Sequence, residues 1–377
     1  GELAGAELAG GELAGAELAG AELAGTELGE SSWGNRARGN RAGGIELGEP
    51  SWGNRARGET QMAGDFNRRR FLKHSALYCA GLATGLPTGL VGGGCSWRTA
   101  TTGSADPSQA RTFTSPDLVV ATGEDPARNC RAALEALGGM HRFVRPGDRV
   151  VIKPNPVGNS RPEQAIHTHP DMITCVIREC LRVGAAEVVV TSHDSHRDMV
   201  ANGTVAAVES AGGRLEVLER IEQFREVPVP RGRLLGREHI AASLVEADVF
   251  INMPIAKHHA GAEVTFAMKN LMGINWDRVR FHRTDLHRAI AELAGAVPHS
   301  LVILDANHVL LSNGPVGPGE VLRARTVVAG IDPVAVDTFA LRYFDRRPED
   351  IGHIRMAREL GVGQIDLAKL RIHECTA

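Results

Sequence analysis

Four apolar runs in this chain stop on polar clusters of one character, and that recurrence limits the fold more than any other feature. Residues 148–153 (DRVVIK) run into Pro154-Asn155-Pro156, and residues 187–192 (EVVVTS) into His193-Asp194-Ser195-His196. Residues 248–253 lead through Pro254 to Lys257 and His258, and residues 301–304 lead to Asp305-Ala306-Asn307-His308. Short, continuously apolar runs rich in Val and Ile are the pattern of strands covered on both faces. Helical stretches lie between and around them: 126–140, 170–183 with Thr168 as the expected cap and Gly184 as the stop, 285–296, 334–344 and 349–360. The alternation implies an α/β fold, a mostly parallel sheet with helices on both faces. Parallel strands share a carboxyl edge, so the polar clusters are expected to converge on one crevice.

The remaining elements are weaker. Residues 117–122 read as a strand, 196–211 as mostly helical, and 214–237, which contain VPVP, as one or two edge strands. Residues 238–247 read as helix, and a short strand is expected near 327–331. Pro254 is expected to end its strand, leaving Lys257, His258, His259, Lys269 and Asn270 on a loop and short helix.

The first part of the chain has a different composition. Residues 1–25 repeat GELAG or AELAG, and residues 27–39 recur nearly intact at 46–58. A five-residue period with one Leu per unit matches neither a heptad nor a common solenoid, so residues 1–61 are expected to be disordered or to precede the true start at Met62. Residues 62–98 combine a basic region, a moderately apolar stretch and small residues, as export signals do. Asn67, Arg68, Arg69, Arg70, Phe71, Leu72 and Lys73 resemble the twin-arginine export signal. That resemblance implies the twin-arginine export machinery as a partner and the periplasm or cell envelope of a bacterium or archaeon as the destination. The glycines of this stretch argue against a permanent membrane span. Cys95 leaves a lipid anchor open, although Gly92 stands where a lipobox wants Leu. Residues 99–116 read as a linker and 117–377 as one α/β domain.

Cys130, Cys175, Cys180 and Cys375 form no CxxC and no iron-sulfur framework, and read as small buried hydrophobes. A net charge of -3 carries no basic signature of nucleic-acid binding.

Several motifs in order resemble the family known as domain of unknown function 362. They are IKPN at 152–155, HTHPD at 167–171, PIAKHH at 254–259, MKNLMG at 268–273, Asp305, NGP at 313–315 and DPVAVD at 332–337. His258-His259 departs from the family's more usual Lys-Thr-His, so the histidine that occupies the family position stays open. The resemblance implies a fold and a site without a settled reaction.

Lysine is scarce here among many arginines, and Lys153, Lys257 and Lys269 all fall in these motifs. Buried lysines shift pKa readily and bind anions, so they are read as holding a small anionic ligand or acting as a base. Lys257, His258, Lys269 and Asp305 are the catalytic candidates. Lys153, Asn155, Asn270 and Gly314 are the binding candidates. His193 and Asp194 have metal-donor chemistry, but no HExxH-type signature accompanies them, so a divalent metal and ordinary hydrogen-bonding histidines both stay open. Asp332 reads as a helix cap, and Asp337 as either a partner for a lysine or a site residue. Two functions follow: an exported enzyme acting on a small anion, or a non-catalytic ligand- or cofactor-binding accessory of an envelope redox system.

Replacing Arg68, Arg69 and Arg70 together with Lys should retain the protein in the cytoplasm, because twin-arginine recognition is not general cation binding. Cell fractionation reads the outcome, and normal export of the triple variant sinks the assignment.

Overall fold

The structure, a computed structural model, describes residues 115–377. The repeat, the leader with Arg68, Arg69 and Cys95, and most of the linker lie outside the described residues. In chain order the elements begin β1 (Leu118–Thr122), α1 (Pro126–Ala136), β2 (Arg149–Pro154), α2 (Pro170–Arg182), β3 (Glu187–Ser192), α3 (His196–Ala201), α4 (Thr204–Ser210) and β4 (Arg214–Val217). The middle comprises β5 (Phe224–Pro228), β6 (Arg237–Ala241), α5 (Ala242–Val245), β7 (Val249–Met253), β8 (Ile255–His259), β9 (Glu263–Thr265) and α6 (Ala267–Asn270). Then follow α7 (Arg278–His282), α8 (Leu286–Ala296), β10 (Leu301–Leu310), β11 (Val321–Leu322), β12 (Thr326–Gly330), α9 (Pro333–Ala340), α10 (Gly352–Glu359) and β13 (Ile372–Thr376).

The main sheet runs β13-β1-β12-β10-β7-β2-β3-β4. Only β12 runs against its neighbours on this path; every other pair is parallel. Strand alternation then sorts the apolar residues into two cores. Val150, Ile152, Val188, Val190, Val249, Ile251, Leu301 and Ile303 meet α1, α2 and α4 on one face. Val151, Val189, Phe250, Val302 and Leu304 meet α8, α9 and α10 on the other. Each such side chain, when fully buried, contributes about 1.5–3 kcal/mol of transfer free energy. Cys130, Cys175 and Cys180 belong to the first core as apolar residues. Among the described residues no helix is long and apolar enough to cross a membrane.

Three local expectations are corrected. Pro254 ends β7 as expected, but Lys257, His258 and His259 do not lie on a loop: β8 continues beside β10, pairing Ile255 with Asp305 and Lys257 with Leu310, and β9 folds back on β8. Proline has no N–H, but its carbonyl still accepts from Asp305 N at 2.9 Å, so the ladder is kinked there and resumes. Residues 238–247 do not form one helix, because β6 pairs with β5 in a separate two-stranded sheet and buries alternate residues. Residues 196–211 are mostly helical as expected, in two helices that part at Gly203, whose φ is 83°. Finally, His169 rather than Thr168 caps α2, its Nδ1 accepting from Asp171 N.

Asp305 latches the start of α2 to β10. Its carboxylate accepts from His169 N at 2.8 Å and from Asn307 N and Nδ2 at 3.0 and 2.8 Å. Asp305→Ala removes the acceptor for these buried donors and should cost about 1–3 kcal/mol in urea unfolding. An unchanged unfolding midpoint would show that the latch carries no stability.

Candidate functional site

The carboxyl ends of the parallel strands open on a cavity of about 330 Å³. Lys153 and Asn155 reach it from the end of β2 and Asp194 from the turn after β3. Lys257 and His259 reach it from β8, Thr265 from β9, Lys269 and Asn270 from α6, and Arg278 and His282 from α7. The described residues contain four lysines, and three of them line this cavity. Lys153 and Lys257 are each 1 % exposed and Lys269 is 9 % exposed.

Backbone and amide groups hold these stems in place. Lys257 Nζ donates to Ile166 O at 2.6 Å and to Asn155 Oδ1 at 3.1 Å. Asn155 Nδ2 donates to Asn270 Oδ1 at 3.0 Å, and Asn270 Nδ2 donates to Asn252 Oδ1 and Lys153 O. Thr168 fixes Asn155 in turn, its hydroxyl accepting from Asn155 N and donating to Met253 O. Lys153 Nζ donates to Pro154 O. A Cβ at Gly273 would overlap Lys153 Cε, so only glycine leaves that amine its place. Buried Asp337 sets α6 by accepting from Ala267 N at 2.7 Å and Met268 N at 3.1 Å. It pairs with no lysine.

The charge balance is lopsided. Among the described residues, none of the three lysines forms an ion pair, and Asp194 is the one carboxylate in the lining. Asp194 accepts from Ser192 Oγ at 2.6 Å and from Arg278 Nη1 at 3.2 Å. Burial pushes Lys153 and Lys269 down to about 8 and Lys257 to about 7, with Asp194 opposing the shift at each. Burial alone would raise Asp194, but Lys153, the Ser192 hydroxyl and Arg278 outweigh it and hold the carboxyl below its ordinary value. His259 is pushed to about 3 by burial and by the neighbouring Lys269. Its Nδ1 accepts from Gly261 N and Ala262 N, which leaves the proton of the neutral ring on Nε2.

A family model described as "Domain of unknown function (DUF362)" matches residues 150–342, just over half of the chain. The chain belongs to the DUF362 family. The thylakoid-associated protein sll1697 of Synechocystis sp. is 30% identical over 232 residues, which are 56% of this chain and 69% of that protein. Two solved structures are similar at low identity. The lactate racemase apoprotein of Thermoanaerobacterium thermosaccharolyticum has a TM-score of 0.37 and 15% identity, over 51% of this chain. A Thermotoga maritima protein has a TM-score of 0.35 and 13% identity, over 64% of this chain. The chain spans 50% of the racemase apoprotein chain and 60% of the Thermotoga chain.

All the residues that line the cavity fall within the DUF362 match. Of the expected site residues, the structure brings together Lys153, Asn155, Asp194, Lys257, Lys269 and Asn270. It leaves His258, Asp305, His193 and Gly314 outside the lining. His258 alternates with Lys257 and His259 on β8 and points its Nδ1 at Gly314 N, 3.0 Å away. Gly314 serves that contact: a Cβ there would overlap His258 O, so glycine lets the loop bearing Pro315 lie against β8. His193 stacks on Trp276 at 5.7 Å and 11°, its Nδ1 3.2 Å from Asn275 O, so it is not joined with Asp194 as a ligand pair. Among the described residues no three His, Cys, Asp or Glu side chains are grouped to hold a metal ion.

Sequence reasoning weighed His282 only as a histidine donor near the site, and missed Arg278 and Thr265, whose buried hydroxyl oxygen lacks a hydrogen-bond partner. Strand alternation could have chosen His259 over His258; nothing in the local pattern marks Arg278.

Lysine-selective NMR tests this electrostatic picture. Lys153, Lys257 and Lys269 should titrate near 8, 7 and 8, below the ordinary lysine value of about 10.4. Asp194→Asn should move all three cavity lysines lower, since its charge favours each ammonium. The three cavity lysines titrating together near the ordinary value would refute the buried cationic cavity.

Proposed function

We propose that this DUF362 protein binds a small anion in the cavity, held by Lys153, Lys257, Lys269 and Arg278. One observation carries the reading: three of the four described lysines are buried around one space without a carboxylate bonded to any of them. Desolvated cations gathered with too few counter-ions are an unfavourable arrangement that an anionic ligand relieves. Asn155, with one Nδ2 proton bonded to Asn270, has a second to orient the ligand, and Thr265 and neutral His259 add polar groups. Asp194 is held ionised as a counter-ion, so proton transfer to or from a bound ligand falls to the lysines, Lys257 above all. The leader with Arg68 and Arg69 supports export by the twin-arginine machinery to the periplasm or cell envelope. The description of one relative as thylakoid-associated supports a place of action beside a membrane.

The pH dependence has a definite sign. An anion binds the protonated amines and raises their pKa, so binding takes up protons wherever the empty cavity holds neutral lysine. Affinity for sulfate should be highest below about pH 7 and fall up to about tenfold per pH unit for each proton taken up between about pH 7 and 9. Calorimetry in buffers of different ionisation enthalpy measures that uptake, and sulfate affinity independent of pH would defeat the reading. Lys269→Met should abolish most of the affinity at no loss of melting temperature, because it strands no partner. Lys257→Met should also lose affinity but cost about 1–3 kcal/mol, because it leaves Ile166 O and Asn155 Oδ1 without their donor.

A further inference from the structure

The three cavity lysines are not equivalent. Lys257 is bonded to Asn155 and Ile166, and Lys153 to Pro154. Arg278 is engaged by Asp194. Lys269 is nine-tenths buried, lines the cavity, and has no hydrogen-bond or ion-pair partner among the described residues. A buried amine free of acceptors, beside fixed cations and facing a cavity, is the arrangement in which lysine works as a nucleophile.

We propose that Lys269 is a nucleophilic amine that condenses with the carbonyl group of a small 2-oxo acid bound in the cavity, forming an imine. The proposal rests on the anion-binding reading and names its substrate class. Lys153, Lys257 and Arg278 meet the carboxylate, which brings the adjacent carbonyl carbon toward the remaining amine. Neutral His259, with its proton on Nε2, lines the same cavity and supplies a donor for the carbonyl oxygen without consuming a charge. The lone pair of Lys269 Nζ attacks the carbonyl carbon, a C–N bond forms, and the carbonyl π pair moves to oxygen. Both protons of the neutral amine leave with that oxygen as water when the C–O bond breaks. Nothing is oxidised or reduced. Burial, with Arg278 nearby, holds Lys269 at about 8. Near pH 7 roughly a tenth of it is therefore neutral, against under about one in a thousand for an exposed lysine.

The full chain incubated with pyruvate and cyanoborohydride near neutral pH, then mapped by peptide mass spectrometry, tests this. The expected product is a reduced secondary-amine adduct at Lys269 that exceeds labelling of exposed Lys369 by about tenfold or more. Sulfate should suppress it, acetone should label far less than pyruvate, Lys269→Arg should abolish it, and Lys369→Arg should leave it intact. Adducts spread evenly over the lysines, or concentrated on Lys153 or Lys257, would overturn the proposal. So would the absence of any adduct in protein whose melting temperature still rises with sulfate, a result that leaves the anion-binding reading standing. Absence of both responses removes both. If Lys269→Arg does not fold, the site of the adduct in the unaltered chain decides alone.

Discussion

Holding three amines out of water beside a single carboxylate is the constraint on which the rest of this structure depends. Moving one ammonium into a protein interior costs several kcal/mol after relaxation unless its donors find acceptors. The chain meets that cost unevenly. Ile166 O and Asn155 Oδ1 serve Lys257, Pro154 O serves Lys153, and Asp194 offsets part of the charge on all three. Lys269 receives only the long-range attraction of Asp194. The remaining cost appears as lowered lysine pKa values, the ordinary escape of a desolvated base. A fold optimised for stability alone has no use for such a cluster, which is why it points to a ligand.

Much of this was legible because two periodicities were clean. The apolar runs ending at Lys153, Ser192 and Met253 are covered on both faces, and continuous Val/Ile runs announce that burial whatever packs on them. Their shared direction then follows from the intervening helices, and the shared edge from that direction. Where signals were short or contradictory the reading failed. Residues 237–241 have Ala after them and a helix-compatible composition, yet pairing with Phe224–Pro228 decides their conformation. Such non-local pairing overrides local propensity and leaves no local trace. Pro254 similarly marks a kink that the adjoining β10 ladder spans.

The His258-His259 pair shows why residue type is a weaker guide than register. Both imidazoles carry the same chemistry, and their placement depends only on the alternation of a strand that the sequence reading took for a loop. Once β8 is a strand with Lys257 facing the cavity, His259 must share that face and His258 must not. Arg278 was beyond reach for another reason. It enters the cavity from α7, five residues after Gly273, and nothing in NWDRVRFH distinguishes it from Arg280, which instead pairs with buried Glu238.

The family motifs therefore divide into two layers with different physical roles. IKPN, PIAKHH and MKNLMG place side chains against the cavity, through Lys153, Asn155, Lys257, Lys269 and Asn270. HTHPD, Asp305 and DPVAVD contribute none of its lining, yet they determine its geometry. Asp305 holds His169, the neighbouring Thr168 is bonded to Asn155 through both backbone and side chain, and Asn155 bonds Lys257. On the other side Asp337 holds the first turn of α6 and thereby Lys269 and Asn270. Asp305 and Asp337 bond backbone N–H groups and no lysine, and burial pushes Asp337 up to about 8, so it brings little negative charge to the cavity near pH 7. The cavity stays short of anionic charge because the acidic residues nearest its walls are committed to holding those walls.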